Sequence, residues 1–233
     1  VRAILPRIKR RVITYGLNRE ADWRAEKIHF SGRTAKFAAY WRNDLQGSVT
    51  LNAPGLFNVY NALAVIAAAR ELEVPFSAVR AGLKAFTGVQ RRLEVKGCVN
   101  DITVVDDYGH HPTEIRETLA AARQVWPNRL IVVFQPHRYT RTKALFQEFL
   151  TAFPNADMLI LTDIYPASED PIPGVSAAAL ADGIRRAGHR DVQHIGDFGA
   201  IVELLRKTAQ PSDVILTLGA GNVLKIGEAF LKK

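Results

Sequence analysis

Apolar and polar positions change rhythm once along the chain. Up to about residue 52 the apolar residues come in short, partly alternating runs: Val12–Tyr15, closed by Gly16, then Lys27–Phe30, Ala35–Trp41 and Ser48–Leu51, with polar or glycine turns between them. Strands this close together predict an antiparallel layer. Two helices follow. Asn58–Leu72 carries Val59, Leu63, Ile66 and Ala67 at helical spacing, and Ser77–Phe86 carries Val79, Leu83 and Phe86 behind Ser77, a candidate N-cap. From about Leu93 strand and helix alternate. The strands are Ile102–Val105, Leu130–Phe134, Met158–Thr162, Val192–Ile195 and Val214–Leu218; the helices are Pro112–Trp126, Arg138–Ala152, Ser176–Ala187, Phe198–Ala209 and Val223–Leu231. Apolar, β-rich strands alternating with helices predict an α/β fold with a mostly parallel sheet covered on both faces. The boundary between the two regions falls near Arg91–Leu93, giving 1–92 and 93–233.

With 233 residues, two domains are easily accommodated. The longest apolar runs are strand-sized, well short of the roughly 20 residues of a membrane helix, so no membrane partner is expected. Val1 enters mid-pattern with no secretory leader, and a single cysteine, Cys98, precludes an internal disulfide. Both suit a reducing, cytoplasmic setting. The net charge of +8 is concentrated: residues 1–43 hold 11 Lys/Arg against 3 Asp/Glu. A phosphate or nucleic-acid surface is one reading. The run Arg7–Arg11 lacks the interleaved aromatic residues on which single strands stack, so a solvated basic face is preferred and no nucleic-acid partner is expected.

Candidate chemistry gathers after the strands. In an open parallel sheet, ligands bind beyond the carboxyl ends of the strands. Four polar segments sit there: Asp106–Glu114, Gln135–Arg141, Asp163–Asp170 and Gly219–Asn222, and three of the six histidines fall in the first two. Arg138 and Arg141, three apart at a predicted helix start, would present two guanidinium forks on one face, a receptor for a carboxylate or phosphate; the alternative is a pair bridging surface acids. His110 and His111 are consecutive, so one is expected to face the site while the other packs or caps. Asp106 and Asp107 could bind Mg²⁺, hold ribose hydroxyls or cap the next helix. The His-His pair lacks the spacing of a metal site, and no metal ligand is assigned. Upstream, Asn58 and Asn61 share a helix face; Asn58 could be an N-cap, or the two amides could read an adenine edge. Gly219-Ala220-Gly221 lacks the third glycine of a dinucleotide fingerprint, and no P-loop occurs in the chain.

Taken in order, the segments Gly55–Asn61, Phe86–Arg92, Asp106–Glu114, Phe134–Thr142, Ser168–Gly174 and Gly219–Asn222 resemble the Mur ligase family over essentially the whole chain. One departure is Phe57, where the family pattern usually has His. The resemblance implies a Rossmann-like carboxy-terminal domain at 93–233, preceded at 1–92 by the remainder of a central ATPase domain whose P-loop lies upstream. It implies ATP as nucleotide, Mg²⁺ held by upstream ligands, and ATP-dependent joining of L-alanine to UDP-N-acetylmuramic acid through an acyl phosphate. The 233 residues alone are expected to be inactive. Asn58 and Asn61 would hold adenine and Asp107 ribose. Arg91 or Arg92 would reach the γ-phosphate. Arg138 and Arg141 would orient the alanine carboxylate, with Tyr108, His110 and His137 shaping the pocket. Three alternatives stay open: a family member that recycles a tripeptide, a non-catalytic nucleotide-binding module, and a nucleic-acid binder.

Overall fold

The computed structural model describes residues 2–232. The chain folds as two units, Val1–Thr87 and Gly88–Lys233. Arg91 and Arg92, read above as the end of the first region, therefore belong to the second unit.

In the first unit a 3₁₀ turn over Arg2–Arg7 precedes a four-stranded sheet: β1 (Tyr15–Gly16), β2 (Trp23–Ser31), β3 (Thr34–Trp41) and β4 (Asp44–Leu51), in that order. The meander β2–β3–β4 is antiparallel, as its close spacing predicts, while β1 pairs parallel to β2. Of Val12–Tyr15, expected as a strand, only Tyr15 lies in one. The Thr14 N–H and hydroxyl both donate to the Asp22 carboxylate, at 3.0 and 2.9 Å, so a side chain takes the place of a strand partner. Ala35, Phe37 and Ala39 of β3 alternate inward and meet α1 (Leu56–Glu71) and α2 (Phe76–Ala85). Trp23, Phe37, Leu63 and Ile66 lie in this core at 2% exposure or less, each worth about 1.5–3 kcal/mol of burial. Ser77 is not the N-cap of α2: the helix starts at Phe76 behind Pro75, whose fixed φ suits that position.

The second unit is a six-stranded sheet ordered β5-β6-β10-β7-β8-β9. Its strands are β5 (Glu94–Val99), β6 (Ile102–Asp107), β7 (Leu130–Phe134), β8 (Met158–Leu161), β9 (Val192–His194) and β10 (Val214–Leu218). All pairings are parallel except that of β5 with β6. β5 was not anticipated. Every residue of β7, β8 and β10 is buried, which is why these strands read as unbroken apolar runs. The helices are α3 (Pro112–Val125), α4 (Tyr139–Ala144), α5 (Phe146–Phe149), α6 (Ala177–Arg186), α7 (Phe198–Thr208) and α8 (Leu224–Leu231). Ile201, Leu205, Ile226 and Phe230 of α7 and α8 pack on Ile131, Val133, Ile160 and Ile215 of the sheet, while Phe134 points the other way onto Phe149 and Phe153. The single helix expected over Arg138–Ala152 is broken at Leu145 (φ −109°, ψ 18°) into α4 and α5. β6 to β9 progress in one direction, and β10 returns to lie between β6 and β7. In open α/β sheets such a reversal is where ligands bind, beyond the carboxyl ends of the strands. Among the described residues no helix is long and apolar enough to cross a membrane.

Candidate active site

The carboxyl ends of β6, β10, β7 and β8 lie side by side in parallel register, so the four polar segments that follow them share one edge. Beneath that edge is a buried polar frame. Asp106 and Asp107 are each 1% exposed. Asp106 accepts from the Thr217 hydroxyl at 2.6 Å and from Arg91 Nε at 2.8 Å. Arg91 Nη2 donates to the Gly219 carbonyl at 2.7 Å and Nη1 to that of Gly221 at 3.3 Å. Its guanidinium also lies 4.9 Å from the Tyr108 ring centre. Arg91 is thus committed to tying β6 to the turn after β10, whereas Arg92 is exposed, with the Tyr108 ring 6.0 Å away.

Asp107 anchors the next loop. Its carboxylate accepts from Gly109 N–H at 2.7 Å, Leu93 N–H at 2.9 Å and the Thr118 hydroxyl at 3.2 Å. Burial pushes its carboxyl above the usual range, against the pull of those bonds. Neither aspartate caps α3. His111 does: its Nδ1 accepts from Thr113 N–H, while Glu114 accepts from the N–H groups of His110 and His111. Of the two histidines, then, His111 caps the helix, and the His110 ring lies at the edge with Nδ1 3.1 Å from the Tyr108 carbonyl.

Four rings from three loops form a chain there. Tyr108 meets His110 edge-on at 5.6 Å, His110 lies 5.8 Å from His137, and His137 stacks on Tyr165 at 5.5 Å and 12°. Arg141, in α4, turns back to donate through Nη1 to the His137 carbonyl at 3.1 Å, with His137 Nδ1 at the same distance. Arg138 is not in the helix as expected. It precedes α4 with φ 73°, a left-handed conformation uncommon for a side-chain-bearing residue. Its N–H donates to the Tyr165 carbonyl at 2.9 Å, and its guanidinium, half exposed, lies 3.9 Å from Glu169. The two arginines therefore share one loop and its short helix without sharing a helix face.

The turn after β10 closes against β7. Gly219 has φ 147°, and a Cβ there would sit 2.8 Å from the Gln135 carbonyl; a Cβ on Gly221 would run into Gln135 Oε1 and lie 2.8 Å from Tyr165. Gln135 in turn donates to Asn222 at 2.9 Å and accepts from Val223 N–H. Sequence reasoning singled out neither Tyr165 nor Glu169. Their only signal was position, in the polar segment following β8.

Asn58 and Asn61 lie in the first unit. Gly55, not Asn58, is the N-cap of α1, and Asn58 Nδ2 reaches back to the Pro54 carbonyl at 2.7 Å. Asn61 Nδ2 donates to Asn58 Oδ1 at 3.3 Å, so the two amides form one polar face with Asn61 exposed.

Known proteins match this arrangement from end to end. A family model described as "Mur ligase, glutamate ligase domain" covers residues 91–221, more than half of the chain, and one for the Mur ligase middle domain covers 1–69. The chain belongs to the Mur ligase family. It is 57% identical over all its residues to a UDP-N-acetylmuramate–L-alanine ligase of Syntrophus aciditrophicus, covering 48% of that protein. It is 56% identical over 99% of its length to one of Geobacter sulfurreducens, covering 50% of it. The chain thus spans about half the length of the curated relatives it matches. Among solved structures, the UDP-N-acetylmuramate-alanine ligase of Thermotoga maritima superposes with a TM-score of 0.80 at 26% identity, over 94% of this chain and 47% of that one. A murein peptide ligase of Psychrobacter arcticus gives 0.65 at 27%, over 94% and 45%.

In this Mur ligase chain the edge makes one residue's protonation testable. Burial lowers the affinity of His137 for a proton, and the neighbouring Arg141 guanidinium lowers it further. Its NMR titration midpoint should fall below the ordinary 6.5 of histidine. Because the folded state resists that proton, stability should fall as pH drops below about 6.5, where only the unfolded chain takes it up. Arg141→Met should raise the midpoint. A midpoint at or above 6.5 in the unaltered chain would show His137 to be solvated and unpaired with Arg141.

Proposed function

We propose that this chain forms the amino-acid side of an ATP-dependent ligase that joins L-alanine to UDP-N-acetylmuramic acid. One observation carries the reading: Arg141 lies against His137, and Arg138 follows it in the same loop, on the sheet edge that holds Tyr108, His110 and Tyr165. Guanidinium forks bind a carboxylate, and a wall of rings close by would favour a small side chain over a large one. Relatives named for L-alanine support the same substrate.

In the reaction, the muramoyl carboxylate attacks the γ-phosphate of ATP, giving an acyl phosphate and ADP. The alanine amine then attacks the acyl carbon, the amide bond forms, and phosphate leaves. Arg138 and Arg141 hold the alanine carboxylate so that its amine is aimed. Arg92 is assigned to the γ-phosphate, since Arg91 is committed to Asp106 and the Gly219 turn. Asn58 and Asn61 offer an amide face to adenine, and Asp107 acts through the Tyr108–His110 loop it anchors. Mg²⁺ would neutralise phosphate charge. Among the described residues no group of three or more His, Cys, Asp or Glu could hold a metal, and no ligand for it is assigned here. ATP and the nucleotide sugar set the working place in the cytoplasm.

Full-length protein supplied with ATP, Mg²⁺ and UDP-N-acetylmuramic acid should release phosphate on addition of L-alanine. Release with the tripeptide and none with L-alanine would point to the recycling reaction instead. The 233 residues alone, lacking a P-loop, should release no alanine-dependent phosphate in the same assay.

A further inference from the structure

The segment after β8 contains two consecutive non-glycine residues in the left-handed region, Ala167 (φ 47°) and Ser168 (φ 68°). Such conformations cost energy and persist only where surrounding contacts enforce them. The next residue supplies those contacts. Glu169 accepts from the Thr140 hydroxyl at 2.6 Å and from the Thr140 N–H at 3.0 Å, which fastens it to the first turn of α4. One of its oxygens also lies 3.9 Å from Arg138. Arg138 is itself left-handed at φ 73°. Strain thus sits on both sides of a single contact, and that contact joins the loop after β8 to the loop that carries the arginines.

We propose that Glu169 is a positioning residue: by pinning Thr140 and drawing on Arg138, it holds the Arg138 guanidinium where it meets the substrate carboxylate. This rests on the proposed alanine site. The Glu169–Arg138 separation is too long for a closed ion pair, and Arg138 remains half exposed. Glu169 therefore orients the fork without consuming its donors. The two bonds to Thr140 do the holding. They fix Thr140, two residues after Arg138, while the Arg138 N–H is tied to the Tyr165 carbonyl.

The test is steady-state kinetics of full-length Glu169→Gln and Thr140→Val, with L-alanine and ATP varied separately and a thermal melt for each variant. Glu169→Gln keeps the shape but removes the charge that draws on Arg138, and Thr140→Val removes the shorter of the two bonds. Each should raise the KM for L-alanine, roughly tenfold for Glu169→Gln, and leave the KM for ATP and kcat at saturating L-alanine within about twofold. A structural role alone would lower the melting temperature and leave the L-alanine KM within twofold, which would overturn the proposal. A fall in that KM would overturn it too, since Glu169 would then be competing for the carboxylate site. If the unaltered enzyme does not use L-alanine, the proposed substrate fails and this inference with it; if it does, and only the variants behave otherwise, this inference alone fails.

Discussion

Replacing Arg91 with Met should cost the second unit about 3–5 kcal/mol, because it strands a buried carboxylate. Asp106 is 1% exposed and has two partners, the Thr217 hydroxyl and Arg91 Nε. Met fills much of the space but offers no donor. Asp106 would then keep one bond, and the carbonyls of Gly219 and Gly221 would lose theirs. Urea unfolding followed by circular dichroism measures the loss, and the thermal midpoint should fall by roughly 10 °C or more. Two further variants separate charge burial from packing. Arg92→Met changes an exposed side chain and should stay within about 0.5 kcal/mol. Asp106→Asn in the Arg91→Met background should recover part of the loss, since a buried amide costs less than a buried carboxylate. An Arg91→Met loss below about 1 kcal/mol, or no recovery on adding Asp106→Asn, would mean that Arg91 is not a clamp.

Arg91 also shows where sequence reading stops. Its place beside Arg92 suggested a pair of equivalent basic residues, one of which would reach a phosphate. Its hydrogen-bond partners Gly219 and Gly221 lie 128 and 130 residues away, and no local pattern connects them. The strands were legible because burial on both faces leaves only apolar residues: Leu130–Phe134 and Val214–Leu218 were read to the residue. β5 was not, since its Glu94, Lys96 and Gly97 break the apolar pattern of a strand that is only partly buried at the sheet edge. The shared edge followed from parallel strands alone, and with it the grouping of Tyr108, His110, His137, Arg138 and Arg141. What that rule could not supply is backbone conformation. Arg138 has a helix-forming side chain directly ahead of α4, yet its backbone is left-handed and its N–H is bonded to the Tyr165 carbonyl. Tyr165 and Glu169 lay in a segment flagged as polar, but their roles come from what His137, Arg138 and Thr140 present to them across the sheet edge.

On the proposed alanine site, Arg141→Lys in the full-length protein should raise the KM for L-alanine about ten- to a hundredfold, the worth of a charge-assisted hydrogen bond of roughly 1.5–3 kcal/mol, with little change in the KM for ATP. Lys keeps the charge. It loses the planar fork, and a bidentate carboxylate contact cannot be rebuilt from a single ammonium. The structure sharpens this. Arg141 already spends Nη1 on the loop, at 3.1 Å from both the carbonyl and Nδ1 of His137, so only its remaining nitrogens can address a ligand. A substitution that merely loosened that internal contact would act on the loop: the melting temperature would drop and the His137 titration midpoint would rise, with the L-alanine KM unmoved. Kinetics with L-alanine varied at saturating ATP and nucleotide sugar, beside a thermal melt and the NMR titration, separates the two. An unchanged KM with a lowered melting point would make Arg141 the support of His137 and leave Arg138, whose guanidinium is half exposed, as the carboxylate's partner.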